Sequence, residues 1–263
     1  MKYIFLWDIS GKPWRTVIQK LLPKYIEKYQ PDFIIWNSEN MSHWKSANPK
    51  HLDEMQEIWI NFFTWWNHTF ATKEAIKEFE NWTKRQLRPL NYPEWTIWKW
   101  YFIIEDKILL ISILWNVFMQ TDLENPILCI EKLFEKIKKE KWEEYFNNLE
   151  IFIDIHAETS SEKKWLAYNF DWIATWVFWT HTHIQTNDAQ ILQKWTWYIS
   201  DLGMNWAMES VLWVKKEVII KRMKTQIWEK FEREEGWKFE LSGIFFESEN
   251  WKCKKIELIK EII

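Results

Sequence analysis

Short apolar runs alternate with longer amphipathic stretches through the first two-thirds of the chain, the pattern of strands feeding helices. Tyr3 to Trp7 reads as a buried strand, and a helix opens near Pro13, whose fixed φ suits a first helical turn. Its apolar stripe runs through Val17, Ile18, Leu21 and Leu22 towards Tyr29, with Pro23 as a point of disturbance. Asp32 to Trp36 and Ile60 to Thr64 are the next strands, with helices over Pro49 to Glu57 and Lys73 to Trp82. Tyr101 to Ile104 and Lys107 to Ile113 flank Glu105-Asp106 as a hairpin. Charged helical sequence fills Pro126 to Asn147, and its run Glu135 to Glu144 reads as a solvated face of mixed Lys and Glu. Strands follow at Ile151 to Ile155 and Ala174 to Phe178. From Tyr198 onward the pattern is mostly β, at Glu217 to Arg222, Trp237 to Phe246 and Lys255 to Ile259. Alternation followed by further strands predicts a mixed α/β sandwich, and no linker or repeat divides it, so residues 1–263 read as a single domain.

Composition narrows the function classes. A net charge of −3 with interspersed Lys and Glu carries no nucleic-acid footprint and no affinity for anionic membranes. Cys129 and Cys253 form neither a disulfide framework nor a paired metal motif, which fits a reducing compartment. The apolar run before Asp8 is too short for a signal peptide, and no segment reaches the roughly 18 apolar residues of a membrane span. The expectation is a cytoplasmic protein with a small-molecule substrate; a homo-oligomer is left open.

One imbalance changes the picture further. The chain holds 24 Trp and 4 Gly, whereas average usage of about 7% Gly would give roughly 18. The tryptophans fall at turns and strand ends rather than at a helical or strand period. Thirty of the 35 basic residues are Lys, and Ile is abundant, as AT-rich codons give. These observations are joined if a UGA codon that means glycine in the source cell has been read as tryptophan. The competing reading is a Trp-rich carbohydrate binder with exposed aromatic platforms.

The candidate chemistry lies at strand ends. Asp8 ends the first predicted strand, Glu39-Asn40 follows the second and Asn67-His68 the third. His156 follows the Ile151 strand, and His181 and His183 follow the Ala174 strand, leaving only His43 and His51 of the six histidines outside the set. In open α/β sheets, ligands bind outside the carboxyl ends of the strands. Imidazoles, carboxylates and carboxamides without thiolates suit Mn, Fe or Zn. A carboxylate such as Glu39 can bridge two cations, and two ions about 3.5–4 Å apart suit phosphoester cleavage. A His-x-His pair alone says little; five strand-end clusters in register say much more.

These phrases resemble a known family. With Gly in place of the leading Trp, Trp7-Asp8, Trp66-Asn67-His68-Thr69 and Trp179-Thr180-His181-Thr182-His183 become metal-binding phrases of metallophosphoesterases. Leu87-Arg88-Pro89-Leu90-Asn91-Tyr92-Pro93, His156-Ala157-Glu158-Thr159-Ser160-Ser161-Glu162-Lys163, Thr180 to Thr186 and Ser200-Asp201-Leu202-Gly203-Met204 narrow the match. The chain resembles the YmdB-type cyclic-nucleotide phosphodiesterases within the calcineurin-like superfamily. The opening Asp8-Ile9-Ser10, in place of Asp-x-His, fits that subfamily.

The resemblance implies a four-layer αββα sandwich with two mixed β-sheets. It implies two metal ions, Fe or Mn first and Zn as an alternative. Asp8, Glu39, Asn40 and His183 would hold one; Asn67, His156 and His181 would hold the other, with Glu39 bridging. His68 would be the catalytic imidazole, and a hydroxide between the metals would attack phosphorus in a 2′,3′- or 3′,5′-cyclic phosphate. Arg88 and Asn91 are candidates for substrate or loop contacts, balanced against a structural role. A phosphomonoesterase such as a nucleotidase, and a degenerate regulatory protein, are the competing readings.

The chain also departs from the family. Phe70-Ala71 replaces an expected Trp-Asp, and Asn116 stands where Arg is usual. Indoles at positions 7, 66 and 179 would crowd the metals. The recoding reading expects Trp7, Trp66, Trp172, Trp179, Trp195 and Trp206 at turns and strand ends, and Trp142 as a true tryptophan.

Overall fold

The computed structural model describes residues 1–7, 11–41, 48–66, 68, 70–80, 86–115, 117, 123–236 and 238–263. The chain runs β1 (Lys2–Leu6), α1 (Lys12–Tyr29), β2 (Phe33–Asn37), α2 (Pro49–Gln56), β3 (Phe62–Thr64), α3 (Lys73–Glu80) and β4 (Gln86–Leu87). It continues through β5 (Tyr101–Ile104), β6 (Ile108–Leu114), α4 (Pro126–Lys141), α5 (Glu143–Asn147), β7 (Glu150–His156), α6 (Ser160–Asn169) and β8 (Trp176–Thr180). The remainder is β9 (Gln190–Ile191), β10 (Trp197–Ile199), β11 (Trp206–Ala207), β12 (Ser210–Val211), β13 (Val214–Lys215), α7 (Lys216–Thr225), β14 (Phe239–Glu249) and β15 (Lys252–Ile262).

Strand periodicity sorts these elements into layers. Ile4 and Leu6 of β1 pack with Trp14, Ile18 and Leu22 of α1, whereas Tyr3 and Phe5 point the other way. On β7, Ile151, Ile153 and Ile155 meet Ile130, Leu133 and Phe134 of α4, and Phe152 faces Tyr3, Phe5 and Phe246 across the sheets. Successive side chains alternate faces, so each sheet has one helix-covered face and one face against the other sheet. The result is a four-layer αββα sandwich. The first sheet is ordered β11-β14-β1-β2-β3-β4, with β15 on β14; the second is β5-β6-β7-β8-β10-β9. Both are mixed: β1 to β4 are parallel with β14 antiparallel, and β6, β7, β8 and β10 are parallel with β5 and β9 antiparallel.

Local chemistry sets the element boundaries. The side chains of Asn48 and Asn125 accept from the first backbone N–H groups of α2 and α4, each followed by Pro at the first helical position. Pro23 does not break α1. It removes the donor that would meet the Gln19 carbonyl, but both residues are exposed, where solvent can satisfy such a group at little cost. Glu217 to Arg222, expected as a strand, is the centre of helix α7. The β-branched run Val218-Ile219-Ile220 favours a strand only where an edge is available to pair with. Here the tight β12–β13 hairpin turns the chain onto a surface where α7 buries no residue.

Backbone geometry bears directly on the tryptophan excess. Trp59, Trp98, Trp142, Trp172, Trp195, Trp213 and Trp251 all have φ between 60° and 114°. That region suits glycine and penalises a bulky side chain. Trp172 and Trp195 therefore behave as expected of misread glycines. Trp142 does not behave as a true tryptophan: it sits at φ 68° between α4 and α5, 64% exposed. With ψ 160° beside that φ, it lies in a region that is almost exclusively glycine's. Trp7, Trp66 and Trp179 are instead fully buried, and Trp206 is half-buried on β11. Trp179 packs among the helices covering the second sheet rather than on the candidate site. The indole N–H groups of Trp7, Trp36, Trp176, Trp179 and Trp197 are buried with no acceptor among the described residues. Genuine core tryptophans usually find one.

Candidate metal centre

Parallel strands from both sheets bring their carboxyl ends to one edge of the sandwich. Glu39 follows β2, His68 follows β3, His156 ends β7, and His181 and His183 follow β8. Glu39 is almost fully buried, and its Oε1 accepts the backbone N–H of His68 at 2.6 Å. The His68 Nδ1 lies 3.9 Å from the same oxygen, with its ring about a third exposed. From the second sheet, His156 Nε2 and His181 Nδ1 face each other at 2.9 Å. The hydroxyl of Thr180 lies 3.0 Å from His156 Nδ1, and Glu158 Oε2 is 2.7 Å from His181 Nε2. His183 is half-buried, and its buried Nδ1 has no hydrogen-bond partner among the described residues.

Electrostatics joins the two halves. Burial pushes the His156 imidazole well below its ordinary pKa, assisted by His181, His183, Lys163 and His68. Burial lowers His183 to about 3, with further contributions from His181, His68 and Lys163. Both rings are therefore neutral near pH 7, the form in which imidazole ligates a metal. Both folded pKa values are depressed, so the unfolded chain takes up more protons once the pH drops below about 6.5. The metal-free protein is thus expected to hold its full histidine contribution above pH 6.5. It should lose about 1.4 kcal/mol per pH unit per histidine on acidification, until each folded pKa is reached. Urea unfolding between pH 7.5 and 4.5 measures this. A His156→Asn, His183→Asn variant should show a shallower decline, and an equal slope would contradict the shifts.

The structure brings together Glu39, His68, His156, His181 and His183 at this edge. Asn40, half-buried, occupies the turn directly after Glu39. Asp8 and Asn67 lie outside the described residues, and among the described residues no three His, Cys, Asp or Glu side chains close on a single point. The donors fit a borderline transition metal in type: neutral imidazoles beside a buried carboxylate, with the orphaned His183 Nδ1 needing a partner. Arg88 and Asn91 take structural roles. Arg88 is fully buried and donates to the carbonyls of Pro89, Pro93, Thr96 and Ile97, while Asn91 bonds Leu114 and Glu124. Glu158 and Thr180 touch the imidazoles yet carried no role in the sequence reading; their positions beside His156 and His181 were the available signal.

Two indoles press on this site. Trp66 stacks on His156 with ring centroids 4.5 Å apart, and Trp213 lies 5.3 Å from His183. Trp7 packs against Trp66 at 5.4 Å.

Comparison with known proteins places this edge in context. The model of the YmdB-like protein family matches residues 4–259. The chain belongs to the YmdB-like family. It is 33% identical over 266 residues to a 2′,3′-cyclic-nucleotide 2′-phosphodiesterase of Bacillus subtilis (strain 168), covering all of this chain and 97% of that protein. A crystal structure of a Mycoplasma pneumoniae phosphatase superposes with a TM-score of 0.87 at 30% identity, covering all of this chain and 93% of the other. A hypothetical protein from Thermus thermophilus superposes with the same TM-score at 26% identity, covering all of this chain and 99% of the other. No helix among the described residues is long and apolar enough to cross a membrane.

Proposed function

We propose that this YmdB-like phosphate-ester hydrolase is a dinuclear metal-dependent phosphodiesterase acting on cyclic nucleotides, 2′,3′-cyclic phosphates first and 3′,5′-cyclic phosphates second. The observation that carries the reading is the meeting of His156, His181 and His183 from one sheet with Glu39 and His68 from the other. The similarity to the B. subtilis 2′,3′-cyclic-nucleotide 2′-phosphodiesterase supports the substrate class.

Glu39, His156, His181 and His183, with Asp8, Asn40 and Asn67, would hold two ions, Fe or Mn ahead of Zn. When bound, these supply charge neutralisation at the phosphoryl group and activation of water. Burial keeps the His156 and His183 imidazoles neutral and available as ligands. His68 keeps an exposed ring edge while its backbone is fixed to Glu39. It stands ready to give a proton to the departing ribose oxygen, the role of a general acid.

The test is hydrolysis of 2′,3′-cyclic AMP, 3′,5′-cyclic AMP and p-nitrophenyl phosphate by the full chain with Mn(II) or Fe(II). Turnover of a cyclic phosphate should be lost with EDTA and restored by metal. Activity on the monoester alone would favour the phosphomonoesterase reading.

A second reading, a regulatory relative that holds no metal, is favoured by the indoles of Trp66 and Trp213 against His156 and His183. Glycine at both positions clears that side of each ring. A Trp66→Gly, Trp213→Gly variant should gain cyclic-phosphate turnover at least tenfold. Unchanged inactivity with metal present would support the regulatory reading.

A further inference from the structure

Behind the imidazoles lies a buried ion pair that the proposed chemistry does not use. Lys163, in the first turn of α6, and Asp201, just beyond β10, are 2% and 1% exposed, with Nζ 3.5 Å from Oδ2. The same Oδ2 accepts the backbone N–H of Thr182 at 2.9 Å and its hydroxyl at 2.7 Å. Oδ1 accepts the N–H of Gly203 at 2.8 Å. Gly203 has φ 87° and packs so closely on the backbone of Gln185 that a Cβ would lie 2.8 Å from its nitrogen.

Thr182 stands between the two histidines. His181 has φ 110° and His183 has φ 66°, conformations that side-chain-bearing residues adopt only when their surroundings over-determine them. The residue between them is the one clamped by both its N–H and its hydroxyl. Thr186 fixes the far end of the loop: its N–H and hydroxyl donate to the Asp201 carbonyl, and its hydroxyl also accepts the Asp201 N–H. Lys163 extends the clamp to α6, which begins shortly after His156 and Glu158. One carboxylate thereby links the loops after β7, β8 and β10. A buried carboxylate with an ammonium and three hydrogen bonds is satisfied without a metal, so its consequence is the shape of the 181–183 backbone.

We propose that Asp201, held by Lys163, is a positioning residue that keeps the His181 and His183 imidazoles aimed into the metal cleft through Thr182. The inference rests on the dinuclear reading of that cleft. Residues that orient ligands without touching the metal typically change affinity 10- to 100-fold when altered.

The test is Mn(II) titration of the full chain by calorimetry, together with the visible spectrum of the Co(II)-loaded protein. Thr182→Val keeps the ion pair and the backbone bond and removes only the hydroxyl. It should weaken one of two Mn(II) sites about tenfold and shift the Co(II) bands while leaving the far-ultraviolet circular dichroism unchanged. Asp201→Asn should weaken Mn(II) binding about 100-fold. If Asp201→Asn does not fold, Thr182→Val decides. Wild-type Mn(II) affinity and an unshifted Co(II) spectrum in the folded variants would overturn the positioning role while the dinuclear reading stands. An unaltered chain that binds no Mn(II) would overturn both.

Discussion

Replacing Trp59, Trp142, Trp172 and Trp195 with glycine is expected to raise stability by several kcal/mol in urea unfolding. These four have φ values of 78°, 68°, 114° and 83° and are each at least 47% exposed, so glycine relieves strain while giving up little buried surface. Left-handed backbone costs a residue with a Cβ about 1–2 kcal/mol, and four such sites together rival the stability of a whole domain, about 5–15 kcal/mol. Alanine at the same positions is the control, because it removes the indole but keeps the Cβ. The glycine variants should exceed their alanine counterparts by about 1 kcal/mol each. Equal effects of Gly and Ala would show that strain is not what these tryptophans contribute, and a loss of stability with Gly would mark the indoles as native. Sequencing the coding DNA tests the same point independently, since in-frame UGA at these codons is what recoding requires.

The buried tryptophans call for a different expectation. Trp7, Trp66 and Trp179 fill space in the core, and removing a packed aromatic usually costs about 3–5 kcal/mol. Against that stand the indole N–H groups of Trp7 and Trp179, which find no acceptor among the described residues, a loss of about 1–3 kcal/mol each. Glycine there should be close to neutral if the surrounding chain closes in, and strongly destabilising if the indoles are native.

Much of the fold was legible because hydrophobic period and helix signals agreed. Pro13, Pro49 and Pro126 mark true helix starts, and the apolar runs at Tyr3 and Ile151 are strands; which of their side chains face the helices and which the other sheet shows only in the packed structure. Legibility failed where a local signal lacked a tertiary partner, as at Val218-Ile219-Ile220, and where a single residue hid a backbone requirement. Trp142 in charged helical sequence reads as one more helical residue; only its φ of 68° shows the break between α4 and α5. The histidines and Glu39 were legible because strand ends converge in this architecture. Lys163 and Asp201 were not: an isolated Lys and an isolated Asp far apart in sequence show nothing of a buried pair until α6 and β10 are set side by side.

The sharpest separation of roles lies between Glu39 and His68. Glu39→Gln keeps an oxygen able to accept the His68 N–H, so the local backbone survives while the charge shared by both proposed metal positions disappears. Bound Mn(II) should fall from two equivalents towards none, and cyclic-phosphate turnover should vanish with it. His68→Ala leaves Glu39 and the His156–His181 pair in place and removes a ring about a third exposed to solvent. It should retain both metals and lose about 10²- to 10⁴-fold in kcat, the usual worth of a general acid, with little change in KM. A substrate with a more acidic leaving group, such as bis(p-nitrophenyl) phosphate, needs less proton donation and should recover much of that loss. Equal metal loss in the two variants would make His68 a ligand rather than an acid. An equal deficit on both substrates would show that its ring orders the site and gives no proton to the leaving oxygen.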